Sequence, residues 1–213
     1  MLVSIILRIT GKQKYLDRRN KRLLHSYTIK VTSKQIVNGN RQWCMMSPIQ
    51  KLLRTMEEAR SDRFPIIFVI PGSGQVCKAA VAGGAQFLMV INAGLYRTAG
   101  VSSLGSFLPF GNANEQTEEL LRTQILPQAK DVPVVSGLMP IDPLASLSER
   151  LDTLAWLGIA GITNWPALGF TDGSFRRMMN EEGYTAAAEI EMLSEAQKRG
   201  FVTLGHVMNT KDA

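Results

Sequence analysis

The chain has 213 residues, 45% of them hydrophobic, and a formal charge of +6, which is length enough for one well-cored domain. No run of about 18 uninterrupted apolar residues occurs, which argues against a membrane span, and two cysteines, Cys44 and Cys77, are too few for a disulfide framework and fit a reducing compartment. Residues 1–42 hold ten Lys or Arg against Asp17 alone, a charge of +9 that leaves −3 for the remainder; this is a basic extension on a mildly acidic domain, not a basic domain.

Residues 1–46 are expected to form a poorly ordered, solvated extension. Their arginine-bearing, acid-poor start also suits an organelle-targeting segment, so the cytoplasm is the expected location and an organelle the alternative. No aromatic stacking platform accompanies the charge, which disfavours nucleic acid as a partner.

From residue 47 the punctuation is regular. "SPIQKLLRTMEEARSDRF" predicts a helix with Ser47 as N-cap, Pro48 at the first position and Ile49, Leu52, Leu53 and Met56 on one face. "PIIFVIPGSG" predicts a strand buried on both faces, and "QVCKAAVAGGA" a helix closed by Gly83 or Gly84. "QFLMVINAG" is a second strand. The next 24 residues, 91–114, are long, glycine-rich and uncharged except for Arg97. They predict a functional loop.

The alternation then resumes. "NEQTEELLRTQILPQA" predicts a helix begun by Asn112 or Asn114, and "VPVVSGLMP" a third strand. "DPLASLSERLDTLAWLG" predicts a helix with Asp142 as N-cap and Gly158 as terminator. "AGITNWP" is a fourth strand. Two helices, "GSFRRMMNEE" and "TAAAEIEMLSEAQKR", precede a fifth strand, "FVTLGHVMN".

Buried strands alternating with amphipathic helices imply a parallel α/β sheet, either doubly wound or a TIM-type barrel. In both, ligands bind beyond the carboxyl ends of the strands. The segments there read Pro71-Gly72-Ser73-Gly74, then Asn92-Ala93-Gly94 with Tyr96 and Arg97, then Gly137-Leu138-Met139-Pro140, then Asn164-Trp165-Pro166, and lastly His206 with Asn209.

"IPGSGQVCKAAVAGGAQFLMVINAGLYRTAGVSSLGSFLPFGNAN", "GLMPIDP", "GITNWPALGFTDGSFRRMMNEEG" and "AAAEIEML" together resemble the phosphoenolpyruvate hydrolase-like family, also described as TIM-barrel signal-transduction proteins, over roughly residues 47–210. The resemblance implies TIM-barrel (β/α) repeats over 47–213, here an incomplete barrel of about five parallel strands. It implies a small anionic substrate, a carboxylated phospho or phosphono compound, handled by a hydrolase or lyase. The family also takes in half of a plant virus-resistance protein, so the alternative is a noncatalytic signalling or protein-binding module. This chain departs from the family at several points. Ile91-Asn92-Ala93-Gly94-Leu95-Tyr96-Arg97 stands where Tyr-Asn-Ser-Gly-Arg-Tyr-Arg is more usual, Asn112 replaces an acid, and "IPGSG" replaces "GAGTG". Each change removes polarity from the expected site.

For such a ligand, Gly72, Ser73 and Gly74 at a helix start and Arg97 could bind the anion. Their structural alternatives are a tight turn and a carbonyl or carboxylate clamp. Tyr96 and Asn92 complete the substrate-binding set. His206, at the end of the fifth strand, is the candidate acid or base, or else a packed histidine. Asn164 would orient a substrate oxygen, or make a turn. Asp142 is a catalytic candidate whose alternative is the helix cap. Magnesium is the cofactor such chemistry admits, although Asp142 stands alone and Glu189 and Glu191, two apart on a helix, face different ways; no metal site is predicted. Five strands cannot close a barrel of eight. Two open edges are expected, and with them a homo-oligomer or a complementary barrel half as partner. The 91–114 segment is expected to cover the rim as a lid, with Tyr96, Phe107 and Phe110 buried and Arg97 turned toward the ligand.

Overall fold

The computed structural model describes residues 5–7, 46–62 and 65–208. Cys44, Asn209 and nearly all of the basic extension lie outside the described residues.

The expected helix starts form because side chains satisfy the first-turn amides. In α1 (Pro48–Asp62) the Gln50 amide donates to Ser47 Oγ, and Gln50 Oε1 accepts the Ser47 amide in return. Ser73 caps α2 (Gly74–Ala82) in the same sense by accepting from Val76, and Gly84, at φ +80°, turns the chain out of it. Strands β2 (Ile66–Val69), β3 (Phe87–Val90), β4 (Val134–Leu138), β5 (Gly161–Asn164) and β6 (Val202–Leu204) are parallel and pair in chain order. A doubly wound sheet reverses its strand order at a switch point. This sheet has none, and its order is that of a singly wound barrel wall.

The face assignments agree. One core joins Cys77 and Ala80 of α2, Leu120 of α4 (Ala113–Leu120), Leu151 and Leu154 of α6 (Leu147–Trp156) and Met192 and Ala196 of α8 (Ala186–Lys198) to Leu88, Val90, Leu138 and Ile162. The strand-following helices therefore all cover the same face. The opposite face carries Phe68, Phe87, Met89, Val135, Val202 and Leu204, with the Phe68 and Phe87 rings stacked at 4.7 Å. Against it lies α1, in contact with both β2 and β6, the first and last strands of the parallel set. It spans the parallel set from one end to the other on its inner face. Leu52 of α1 is fully buried, and at Gly161 an added Cβ would come within 3.3 Å of its methyl; truncating Leu52 to Ala would remove about 2–5 kcal/mol.

Four expectations are corrected. The segment 91–114 is not an open loop: α3 (Asn92–Thr98) and a 3-10 turn (Ser103–Phe107) occupy much of it. Phe110 is 63% exposed rather than buried, whereas Tyr96 and Phe107 are half-buried. Asp142 does not cap α6; Ser146 does, in a capping box with Glu149. The outer edge of β2 is paired, because β1 (Ile5–Leu7), within the expected extension, runs antiparallel to it. Between α4 and α5 (Leu126–Ala129) a π turn at Leu121–Ile125 makes room for Pro127, which has no amide hydrogen to give. The Cys77 thiol donates to the Ile125 carbonyl at 3.6 Å, and burial pushes it up to about 11. It is inert. No helix among the described residues is long and apolar enough to cross a membrane.

Candidate functional site at the carboxyl ends of the strands

Alternation along β5 sends Gly161 and Thr163 to the inner face, and Trp165 continues that register just past the strand. The ring of Trp165 stands at the carboxyl rim, 5.5 Å from His206, 5.2 Å from Phe170 and 6.2 Å from Phe107. The Trp165–Pro166 peptide is cis. Thr163 Oγ1 lies 2.8 Å from His206 Nδ1, whereas Nε2 has no hydrogen-bond partner among the described residues. Enclosure between rings pushes the imidazole down to about 4, so it is neutral at physiological pH. The residue stays partly open to solvent.

Asn164 points to the outer face and holds His206 by its backbone. Its Oδ1 accepts the His206 amide, and its Nδ2 donates to the His206 carbonyl and to Glu189 Oε2 at 3.0 Å. Glu189 Oε1 accepts from the Leu168 amide and the Tyr184 hydroxyl. Burial raises the Glu189 carboxyl despite those donors, and burial beside Glu189 raises the Tyr184 phenol. Asn164 and Glu189 are thus a clamp that sets the end of β6. Glu191 is exposed while Glu189 is buried, which is the separation their spacing requires.

Asn92 reaches the same cluster from β3. Its Oδ1 accepts the Trp165 indole N–H at 3.1 Å and its Nδ2 donates to Gln116 Oε1, which also bonds the Tyr96 hydroxyl. Arg97 donates from Nε to Ser103 Oγ at 2.8 Å, within its own segment. Gly72 has a packing role, since an added Cβ would collide with the Gly94 carbonyl and Thr98 Oγ1. The Gly74 amide donates to Gln124 Oε1, and Ser73 Oγ is taken by Val76. The rim therefore gathers Asn92, Asn164 and His206 around Trp165, while Arg97 and Tyr96 stand on α3 and the Gly72–Gly74 turn packs against that helix. Sequence reasoning misses Thr163, gives Trp165 no role beyond its place after the fourth strand, weighs Glu189 only as a metal ligand and misses Gln116. Only the in-and-out register of "GITNWP" could have marked the first two.

The phosphoenolpyruvate hydrolase-like family model matches residues 50–213. The chain belongs to that family. Among its relatives, the tomato ToMV resistance protein Tm-1(GCR237) is 34% identical over 152 residues, which are 71% of this chain and 20% of that protein. A Sinorhizobium fredii protein named "Putative transcriptional regulatory protein y4pA" is 37% identical over 142 residues, 67% of this chain and 23% of that one. The chain spans about a fifth of the length of these relatives. A solved structure titled "putative phosphonomutase", from Burkholderia cenocepacia J2315, overlays with a TM-score of 0.38 and 17% identity, covering 62% of this chain and 47% of that one.

For this family member a hard cation would need carboxylate oxygens at the rim. Asp142 has none to spare. Its Oδ1 accepts from Asn112 Nδ2 at 2.8 Å and the Leu144 amide at 2.9 Å, and its Oδ2 from Asn114 Nδ2 at 2.9 Å and Arg150 Nε at 2.7 Å. Burial alone would raise this carboxyl, but the four donors outweigh it and hold it at about 2. Arg150 also pairs with Glu118 at 3.2 Å. The cluster ties α4 and α6 to the end of β4. Among the described residues no three His, Cys, Asp or Glu gather as a metal group, and magnesium does not fit this rim as built.

Proposed function

We propose that the chain is an enzyme of the phosphoenolpyruvate hydrolase-like family, acting as a hydrolase or lyase on a small carboxylated phospho or phosphono compound. His206 is its catalytic imidazole. The observation that carries this reading is His206 itself: an imidazole at the end of a barrel-type strand, neutral, anchored at Nδ1, with Nε2 lacking a partner among the described residues. Two features support a ligand beside it. Ser106 Oγ, next to Phe107, is buried with no hydrogen-bond partner among the described residues, and such orphans call for an acceptor or donor from elsewhere. Arg97 is the sole charge in residues 91–114 and is the cation of that segment for an anion. Asn92 and Tyr96 line the approach. Asn164 positions His206, and Asp142 is structural.

Thermal unfolding with phosphoenolpyruvate and with phosphonopyruvate tests the reading, since a ligand of the native state raises Tm. A rise with either, lost in Arg97→Ala, and turnover lost in His206→Gln with binding kept, are expected. No rise with either ligand would overturn it.

A second reading, a protein-binding module of the same fold, is favoured by one observation. Leu104 (65% exposed), Leu108, Phe110 and Leu144 stand exposed in the segments that follow β3 and β4. That reading expects Leu104→Ser and Phe110→Ser to abolish association of the chain with a partner while the ligands leave Tm unchanged.

A further inference from the structure

Thr163 has one hydroxyl proton and, among the described residues, one place to put it. The side chain is fully buried, and the sole hydrogen-bond contact of Oγ1 is His206 Nδ1 at 2.8 Å. Were Nδ1 to carry a proton, Thr163 would have to accept, and its own O–H would be buried without an acceptor, a cost that native structures avoid. The hydroxyl therefore donates. Nδ1 is then the lone-pair nitrogen and the ring proton sits on Nε2.

The surroundings keep the ring neutral in that state. Its neighbours are the Trp165 and Phe170 rings. The nearest carboxyl in the network, Glu189 on α8, is spent on Asn164, Leu168 and Tyr184 instead of the imidazole. Asn164 fixes the His206 backbone on both its amide and its carbonyl, which places the ring where Nδ1 meets Thr163. Adjacent residues of one strand thus set both the placement and the protonation of one imidazole.

We infer that Thr163 is a positioning residue that locks His206 as its Nε2–H form, so the imidazole meets a ligand as a neutral hydrogen-bond donor to a carbonyl, carboxylate or phosphoryl oxygen. The donor role rests on the reading of the rim as a ligand site; the locked tautomer does not. In that role His206 stabilises developing negative charge on the ligand oxygen through its Nε2–H and cannot begin by abstracting a proton at Nε2.

The test is a proton–nitrogen correlation spectrum of the histidine rings in the full chain at neutral pH, with His206 told from His25 by its loss in His206→Gln. Native protein is expected to show a protonated Nε2 and a bare Nδ1. Thr163→Val keeps the shape and removes the donor, so the ratio of Nε2–H to Nδ1–H should fall roughly five- to tenfold, the equilibrium equivalent of one hydrogen bond; Thr163→Ser should restore it. A protonated Nδ1 in the native chain, or a ratio unmoved in Thr163→Val, overturns the lock. Saturating phosphonopyruvate should then shift the Nε2 proton resonance. Binding seen by thermal unfolding with no such shift overturns the donor role, whereas no binding at all overturns the ligand reading of the rim and leaves the tautomer to stand or fall on the free-protein spectrum.

Discussion

The Trp165 indole N–H donates to Asn92 Oδ1 at 3.1 Å and so joins the end of β5 to the end of β3 across the strand between them. The crossing needs β4 to be bare at one point. At Gly137 an added Cβ would lie 2.8 Å from Ile91 Cγ2 and 3.2 Å from Trp165 Cβ. Trp165→Phe keeps the ring packing against Phe107, Phe170 and His206 but leaves the buried Asn92 oxygen without its donor. A loss of about 1–3 kcal/mol is expected, read as a lower midpoint in urea with an unchanged m value.

The Gly72–Gly94 contact gives a second prediction, because it separates two reasons for a glycine. Gly94 approaches Pro71 O at 2.8 Å and the Gly72 Cα at 3.1 Å from the position its Cβ would take, and both residues are buried. The nearest atom to a Cβ on Gly72 is the Gly94 carbonyl oxygen, which as backbone cannot swing aside. Gly72→Ala should therefore cost about 1–3 kcal/mol, as overpacking does. Gly84→Ala meets nothing within 4 Å and is opposed only by its φ of +80°, a penalty of about 1–2 kcal/mol. Gly72→Ala should also disturb Tyr96 and Arg97 on α3, so phosphonopyruvate affinity falls in Gly72→Ala and holds in Gly84→Ala. Calorimetry on the two variants checks this.

Much of the fold was legible in the sequence because its signals are local. Apolar runs such as "QFLMVI" and helix starts such as Ser47-Pro48 and Thr185 need no tertiary knowledge. Asp142 shows the limit. Asp-Pro before a leucine-rich run is a sound capping signal, yet the buried Arg150 and the amides of Asn112 and Asn114 compete for the same carboxylate from 8, 30 and 28 residues away. Capping then passes to Ser146. The site failed to show itself for a related reason. His206 and Asn164 could be read off strand ends, but Thr163 looks like any β-branched strand residue until the β5–β6 register brings it to the imidazole. The exposure of Phe110 was misread because aromatic residues in a long uncharged stretch suggest burial, whereas the segment is ordered by Tyr96, Gln116 and Ser103 and leaves its apolar tip outside.

Acid titration should separate two buried groups by window and by sign. His206 takes a proton at an ordinary value of 6.5 in the unfolded chain and only near 4 in the native site. Between those values the unfolded state binds more protons, so stability falls as pH drops through that range, by about 3 kcal/mol at most. Asp142 is lowered from 3.8 to about 2. Its contribution is intact above about 4 and is lost as pH falls toward 2, by about 2 kcal/mol. Glu189 acts with the opposite sign, since its raised carboxyl makes the native state hold a proton longer than the unfolded chain, weakening stability as pH rises above 4.5. Differences between native protein and single variants cancel that background. In urea unfolding at a series of pH values, His206→Gln should lack the fall in stability between about pH 6.5 and 4, so that its difference from the native protein changes across that window, and should keep the lower step. Asp142→Asn should remove the lower step, with a constant loss at neutral pH because Arg150, whose side chain is 12% exposed, gives up its closest partner. A His206→Gln profile parallel to that of the native protein through the upper window would show that the imidazole titrates freely, and with it would go the enclosure by Trp165 and Phe170 on which the site is built.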